Sequence, residues 1–420
     1  MSVERGGARS RTAYAGFAAF GAFWGVWGAS VPAIRAQAEL GDGQLGTALL
    51  FIGAGALPAM LVTGRAVDRW GLRVAALLLV TLGAVGTLVA VAGRDFWSLS
   101  AGLALLGASS GAADVAINAA AGSAERASGR PVITRAHGTF SALVVVGSLS
   151  AGLLGALGVP VVVPFLLVAV AATGAALSVV ADARVAPVVA GAVPGYEVSR
   201  AGEGKGSRDA VGRSGGRAVR LFPLLVVGGL GALAFAVENA HQSWGAVYLA
   251  DVADAGPALA SAGPAVFAAV VALTRFAAGA LGSRYATTVL VSGAATAAAG
   301  TLLVSGAKSV PVVLLGLALA AAGTAVLFPT LMGVVTAQVG EAARGRATSV
   351  VATVAYLGFL TGPVYVGRWA EAIGLSGAMV AVAALAAALA VLSWPALRSA
   401  VHTGSSGDPG GLPLAKQASR

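Results

Sequence analysis

The chain has 420 residues, of which 57% are hydrophobic and 10% charged, with a net charge of +10 and no cysteine. Soluble domains carry about 25% charged residues, so the composition excludes an ordinary globular protein and calls for a bilayer. Without Cys there are no disulfides, thiolate metal sites or Cys nucleophiles. Basic residues confined to short hydrophilic intervals mark membrane topology and do not imply a nucleic-acid partner.

A spanning helix needs about 20 mostly apolar residues, so gaps between charged residues predict the spans in order. The stretch Met1 to Arg11 is basic like a signal-peptide n-region, but with so many apolar runs behind it, it reads as the flank of the first span. Spans 1, 2 and 3 lie between Arg11 and Arg35, Asp42 and Arg65, and Arg73 and Arg94. Span 4 opens after Asp95 and continues past Asp114. From Arg135 to Asp182 there is room for two spans, divided by Gly158-Val159-Pro160 and Pro164. Residues 182–219 are rich in Gly, Ser and Arg without apolar periodicity, which predicts a disordered cytoplasmic loop. Spans then resume over Leu221 to about His241, Pro257–Gly282, Tyr285–Gly306, Val310–Val339, Ala347–Gly367 and Ala372–Leu397. The expectation is an all-α membrane protein of twelve transmembrane helices: one six-helix bundle over residues 1–181, another over 220–398, and a cytoplasmic tail over 399–420.

With both termini inside, the outer segments hold only Arg35, Arg94, Lys308 and Arg368. Arg275 lies within span 8, and the rest of the 27 Lys and Arg residues fall inside. This bias predicts a multi-pass protein of the cytoplasmic (inner) membrane with both termini cytoplasmic. The two bundles also echo each other. Gly64-Arg65-Ala66-Val67-Asp68-Arg69-Trp70-Gly71 follows span 2, and Gly279-Ala280-Leu281-Gly282-Ser283-Arg284-Tyr285-Ala286 follows span 8. Gly102-Leu103-Ala104-Leu105 in span 4 returns as Gly316-Leu317-Ala318-Leu319 in span 10, at an offset that agrees to within one residue. Equal halves in the same orientation are parallel repeats, an arrangement suited to alternating access.

The segment from Gly64 to Arg73 has the pattern G-x-x-x-D-R-x-G-x-R between spans 2 and 3. In that pattern and place the chain resembles the major facilitator superfamily, and the likeness extends over nearly its whole length. The resemblance implies the major facilitator fold and a conformational latch: Asp68 against the N-terminus of span 11, with Arg69 and Arg73 in a charge network joining the halves. A carboxylate beside free helix N–H groups gains about 0.3–1 kcal/mol, enough for a few contacts to bias two states separated by a few kcal/mol. Gly64 and Gly71 would allow close helix approach and a tight turn. Arg284 is the counterpart in the second half, where Ser283 replaces the motif's Asp and predicts a weaker latch. Trp27-Gly28-Ala29-Ser30-Val31-Pro32-Ala33-Ile34-Arg35, Asp114-Val115-Ala116-Ile117-Asn118, Ala136-His137-Gly138-Thr139-Phe140-Ser141 and Glu238-Asn239 with Trp244-Gly245-Ala246-Val247-Tyr248-Leu249 narrow the likeness. They resemble the branch of the rhizopine-cluster membrane protein and its uncharacterised relatives, itself similar to the fucose permeases. Span 4 lacks the buried Arg of many proton-coupled members, and span 5 lacks the Gly-Pro of the drug-antiporter signature.

The resemblance places spans 1, 4, 7 and 10 around a central cavity. Ionisable groups at depth cost about 2.5–3.5 kcal/mol each and are functional by default. Counted from the predicted ends, Asp114 lies about 27 Å along span 4, near the inner edge of a core about 30 Å thick. Glu238 falls near the outer end of span 7 and Arg275 near the inner end of span 8, leaving a midplane without charge. Glu238, His241 and Gln242 share one face at i, i+3, i+4 spacing, as an outer gate or proton site with Asn239 and Trp244 nearby, or as a polar cluster ending the helix. Asp114 and Asn118 share another face, with Asp114 expected to pair with a loop arginine such as Arg69. His137 reads as a helix-start or packing residue, and Arg275 as an anion anchor or a snorkelling cation. Trp24 and Trp27 could stack on a solute or simply pack. A cavity of Ser109, Ser110 and Thr324 without midplane charge suits a neutral or amphipathic solute.

No H-E-x-x-H, G-x-S-x-G or Walker pattern is present and His numbers three, so neither an enzyme nor a metal or organic cofactor is implied. The expected partners are the lipid bilayer, a small-molecule substrate and protons, with no prediction of oligomeric state. Two directions stay open: proton-linked uptake of a neutral sugar or polyol, and proton-linked efflux of a small amphipathic metabolite or drug. A non-transporting receptor or scaffold on the same fold is a third.

Overall fold

The structure is a computed structural model that describes residues 2–71, 73–185, 221–278 and 285–405. Every element among them is helical. The first half comprises α1 (Ser2–Gln37), α2 (Asp42–Trp70), α3 (Arg73–Ala92), α4 (Phe96–Ser128), α5 (Val132–Ala156) and α6 (Val162–Val185). The second comprises α7 (Leu221–Asp251), α8 (Pro257–Ala260), α9 (Ala262–Ala278), α10 (Ala286–Gly306), α11 (Val310–Thr324), α12 (Leu327–Gln338) and α13 (Glu341–Ser405). The turn at Gly158, with φ 74°, falls where the sequence predicts it. Most of the 182–219 loop and the tail from residue 406 lie outside the described residues, and α13 carries the helix past the predicted boundary at 398.

Eleven helical runs are long and apolar enough to cross a membrane, and the last, Ala343–Leu397, has 55 residues. Straight, it would extend about 80 Å, far beyond a hydrocarbon core of about 30 Å. It is not straight: Gly374 has φ 78° and ψ 165°, outside the helical region. The Tyr365 hydroxyl donates to the Ala381 carbonyl at 3.2 Å, although sixteen residues of continuous helix would separate them by about 24 Å. The chain therefore doubles back at Gly374, and the two arms of α13, 341–373 and 375–405, complete twelve spans.

With lipid outside, close backbone packing holds such helices together, and glycine permits it. A methyl at Gly21 would strike the Phe140 backbone across the α1–α5 seam, and one at Gly358 would strike Ala232 across the seam between α7 and the first arm of α13. These seams correspond under the internal repeat. So do α3–α6 and α10 with the second arm, where Leu290, Ala294 and Leu389 share one buried cluster. Between the halves, α2 meets the first arm of α13 and α5 meets α8 and α9, again a matched pair.

The α3–α4 link shows how the loops close. Asp95 caps α4, accepting from the amides of Trp97 at 2.9 Å and Ser98 at 3.0 Å, while the Ser98 hydroxyl accepts from the Asp95 amide at 3.2 Å. The Ser98 amide and hydroxyl, then the Trp97 amide, hold the Asp95 carboxyl below the ordinary carboxylate range. A depressed pKa means that the cap is present above the unfolded-state value and is lost as pH falls through the folded one. Asp95→Ala should therefore lower the melting temperature slightly at neutral pH, and the gap from the parent should narrow below about pH 4. A melting series across pH tests this.

Candidate functional site

The sequence places Glu238 at the outer end of its helix and Arg275 at the inner end of its own; the structure keeps Arg275 in the last turn of α9 but overturns the placement of Glu238. Arg275 Nη2 lies 3.3 Å from Glu238 Oε1. The predicted depth fails because α7 does not end near His241. It continues to Asp251 as a 31-residue helix, about 47 Å long, and Glu238 lies nearer its middle than either end. The bundle centre is therefore charged.

The pair is tied to a third helix by a backbone defect. Pro329 in α12 has no N–H to offer the Ala325 carbonyl four residues earlier. Arg275 Nε donates to that carbonyl at 3.2 Å, at the break between α11 and α12. Gln242 Nε2 also donates to Glu238 Oε1, at 3.1 Å. The carboxylate side chain is 11% exposed and the guanidinium 46%, so the acid sits behind and the base faces open space.

Asn239 repeats the device. Pro363 leaves the Phe359 carbonyl in the first arm of α13 without its helical donor, and Asn239 Nδ2 donates to it at 2.5 Å. Ser243 Oγ donates to Asn239 Oδ1 at 3.0 Å. Asn239 is thus the cap of a proline kink. Asn239→Ala should cost about 1 kcal/mol, within the range of polar contacts between membrane helices. The check is a melting or denaturant series in detergent, with Asn239→Leu, which cannot donate, expected to be no better.

His241 does not join Glu238. Three residues of helix leave side chains about 60° apart, and His241 turns into the interior at 1% exposure. Its Nδ1 is 2.7 Å from the Val237 carbonyl, its Nε2 is 3.0 Å from Thr301 Oγ1, and its ring stacks on Phe267. Trp244 is fully buried.

In the first half, Asn118 Nδ2 donates to Asp114 Oδ1 at 3.0 Å and to the Asp114 carbonyl at 2.9 Å. The expected pairing of Asp114 with Arg69 is absent, and among the described residues no cation pairs with Asp114. The reason is position: Asp114 sits within the bundle, in electrostatic range of Tyr356 on α13, whereas Arg69 is exposed in the last turn of α2. His137 is exposed and meets Phe17 edge-on at 4.9 Å. The adjacent Gly138 faces Phe276, beside Arg275. Trp27 is core, and Trp24 is half-buried against Phe20 and Phe23. The expected hydroxyl lining is a further correction. Ser109 and Thr324 are buried and donate to carbonyls of their own helices, Leu106 and Ala320, both at 3.0 Å.

Sequence reasoning missed an aromatic group. Phe235 of α7 lies 4.3 Å from Phe328 of α12 by ring centroids, 6.2 Å from Tyr356 and 6.4 Å from Phe359. Tyr356 and Phe359 are 5.5 Å apart. Phe235 and Glu238 at i, i+3 were the one visible hint.

The two ends of the bundle differ. At the end carrying the α1–α2 link, Arg35 Nη2 lies 2.8 Å from Asp42 Oδ1 and Nη1 lies 2.6 Å from Asp251 Oδ2. Arg35 Nε donates to the Leu40 carbonyl at 3.0 Å. This triad joins the halves, as do the backbone contact of Gly46 with Gly367 and the Ser148 Oγ bond to the Ser261 carbonyl at 2.7 Å. At the other end Gly71 closes α2 with φ 66°, its amide donating to Val67 at 2.8 Å. Asp68, Arg69 and Arg73 are exposed and form no ion pair among the described residues. The Arg69 guanidinium instead lies 5.5 Å over the Trp70 ring. A methyl at Gly64 would meet nothing within 4 Å, so the close approach expected there is not made in this conformation. Arg284 lies outside the described residues.

Residues 230–417 match the family model described as Major Facilitator Superfamily. An uncharacterized transporter of Sinorhizobium fredii, y4wD, is 30% identical over 390 residues, covering 91% of this chain and 97% of the relative. The chain belongs to the major facilitator superfamily. Membrane protein MosC of Rhizobium meliloti is 26% identical over 373 residues, 87% of this chain and 84% of MosC, in keeping with the branch expected from the sequence. Among solved structures, the inward-facing, unoccupied form of a bacterial homolog of the human lysosomal transporter Spinster matches with a TM-score of 0.70 at 17% identity, over 97% of this chain and 99% of that one. As a facilitator, the chain is a multi-pass membrane transporter of a small molecule, not an enzyme, and its matched seams are the packing of the facilitator fold.

Proposed function

We propose that this facilitator is a proton-coupled secondary transporter of the cytoplasmic membrane, importing a small polar solute by alternating access, with both termini cytoplasmic. The ion pair of Glu238 and Arg275 at the bundle centre carries the proposal. A charge at that depth costs about 2.5–3.5 kcal/mol, and this one is connected to moving parts. Protonating Glu238 would weaken its hold on Arg275, and Arg275 caps the break between α11 and α12, so a proton and a helix hinge share one guanidinium. An acid in the middle of α7 also takes away the uncharged midplane that suited an amphipathic solute for efflux. The separation of Glu238 from Asp114, on different helices of different halves, also suits a proton and a solute bound together.

Asp68, Arg69 and Arg73 fit a latch that engages when the bundle closes at their end, the alternative to the closure around Arg35. The test of transport uses purified protein in proteoliposomes with a panel of radiolabelled sugars, polyols and organic ammonium ions. Accumulation under an inward proton gradient, collapsed by a protonophore, is expected. Expulsion under that gradient would establish efflux instead, and accumulation indifferent to the protonophore would end the proton proposal. Topology has its own check, since the chain has no Cys. Arg94→Cys should react with an impermeant maleimide on intact cells, and Lys205→Cys only after permeabilisation. The reverse pattern would invert the orientation.

A further inference from the structure

Phe235, Phe328, Tyr356 and Phe359 are neither buried nor broadly exposed, and none joins the apolar core. Four rings from three helices meet one another and are each left part-covered. Asp114 of α4 is also half-buried and in electrostatic range of Tyr356, and its described partner is the neutral amide of Asn118. Glu238, by contrast, is already balanced by Arg275. Two carboxylates against one guanidinium leave this part of the bundle one positive charge short, and the shortage is at Asp114.

Resting on the transport proposal above, we propose that the solute binds between these rings and Asp114 and that it carries an ammonium group, held by Asp114 on one side and by the faces of Phe235, Tyr356 and Phe359 on the other. Ring faces attract a cation by about 0.5–2 kcal/mol, more when water is excluded, and a carboxylate without a counter-ion at this depth gains most from a partner that arrives already charged. A neutral polyol leaves that deficit unfilled, and a carboxylate solute deepens it.

The test is binding to the purified, detergent-solubilised protein at one pH, read by calorimetry and by thermal shift. The probes share a ring: cyclohexylammonium, cyclohexanol and cyclohexanecarboxylate. Cyclohexylammonium is expected to bind at least about tenfold tighter than the others, the equivalent of about 1.4 kcal/mol. Asp114→Asn should erase that preference, and Tyr356→Leu should weaken it, each variant being checked for an unchanged elution profile and melting point without ligand. Glu238→Gln should keep the ammonium preference while losing proton coupling, so failure of the transport proposal and failure of this one are distinguishable. Equal binding of cyclohexanol, an unchanged preference in Asp114→Asn, or no binding of any probe at tens of millimolar would each overturn the assignment.

Discussion

Replacing Glu238 by Gln is expected to abolish accumulation against a gradient while leaving exchange at equal pH intact. Gln keeps the length of the side chain and an oxygen that can accept from Arg275, so the cap on the Ala325 carbonyl at 3.2 Å survives. What is lost is the capacity to exchange a proton at that oxygen. Coupling free energies of about 1–3 kcal/mol correspond to roughly 5–150-fold effects, so proton-driven uptake should fall by about tenfold or more. Glu238→Ala is a harsher change, because it leaves Arg275 without its counter-ion. The double variant Glu238→Ala/Arg275→Ala removes that penalty but also uncaps the α11–α12 break, and its melting point against the two single variants reports how strongly the pair is coupled. Retention of full proton-driven uptake by Glu238→Gln would sink the coupling role.

The second large effect concerns shape. Arg35→Ala removes both carboxylate contacts that join α1 to α2 and α7 at 2.8 and 2.6 Å. The side chains are partly exposed, at 19% for Arg35 and 43% for Asp251, so each contact contributes no more than about 1 kcal/mol. The Asp251 contact alone crosses between the halves, so its loss is expected to shift a two-state balance by up to about fivefold. Spin labels at Arg94→Cys and Lys308→Cys, both on links at this end, should give one short distance in the parent. In Arg35→Ala a longer population should appear. An unchanged distribution would mean that Gly46, Gly367 and Ser148 hold the closure without the triad.

Composition and charge gaps made the spans, their grouping and the family legible, because water and lipid act on every residue alike. Depth was legible only where a helix ends near its first charge. In α7 it does not, and Glu238 was set at an edge when it belongs to the centre. Pro329 and Pro363 stand in plain view, and each announces an orphaned carbonyl. Nothing local says that Arg275 and Asn239 supply the missing donors, since those partners come from other helices. The His241 face was a matter of 60°, too fine for a spacing rule once two neighbouring helices, α9 and α10, compete for the side chain. The four aromatic rings are scattered over α7, α12 and α13, and only the packing of those helices gathers them.

The proline kinks also bear on how the protein is made. Asn239 and Arg275 precede the carbonyls of Phe359 and Ala325 in the chain, and synthesis proceeds from the N-terminus. Each donor is therefore translated, and available in the bilayer, before the acceptor it will cap emerges from the ribosome. A kinked helix entering lipid with a bare carbonyl would pay several kcal/mol, and here the partner is already waiting. A circular permutant that delivers α11–α13 ahead of α7 and α9 would reverse that order, and its insertion should be the slower for it.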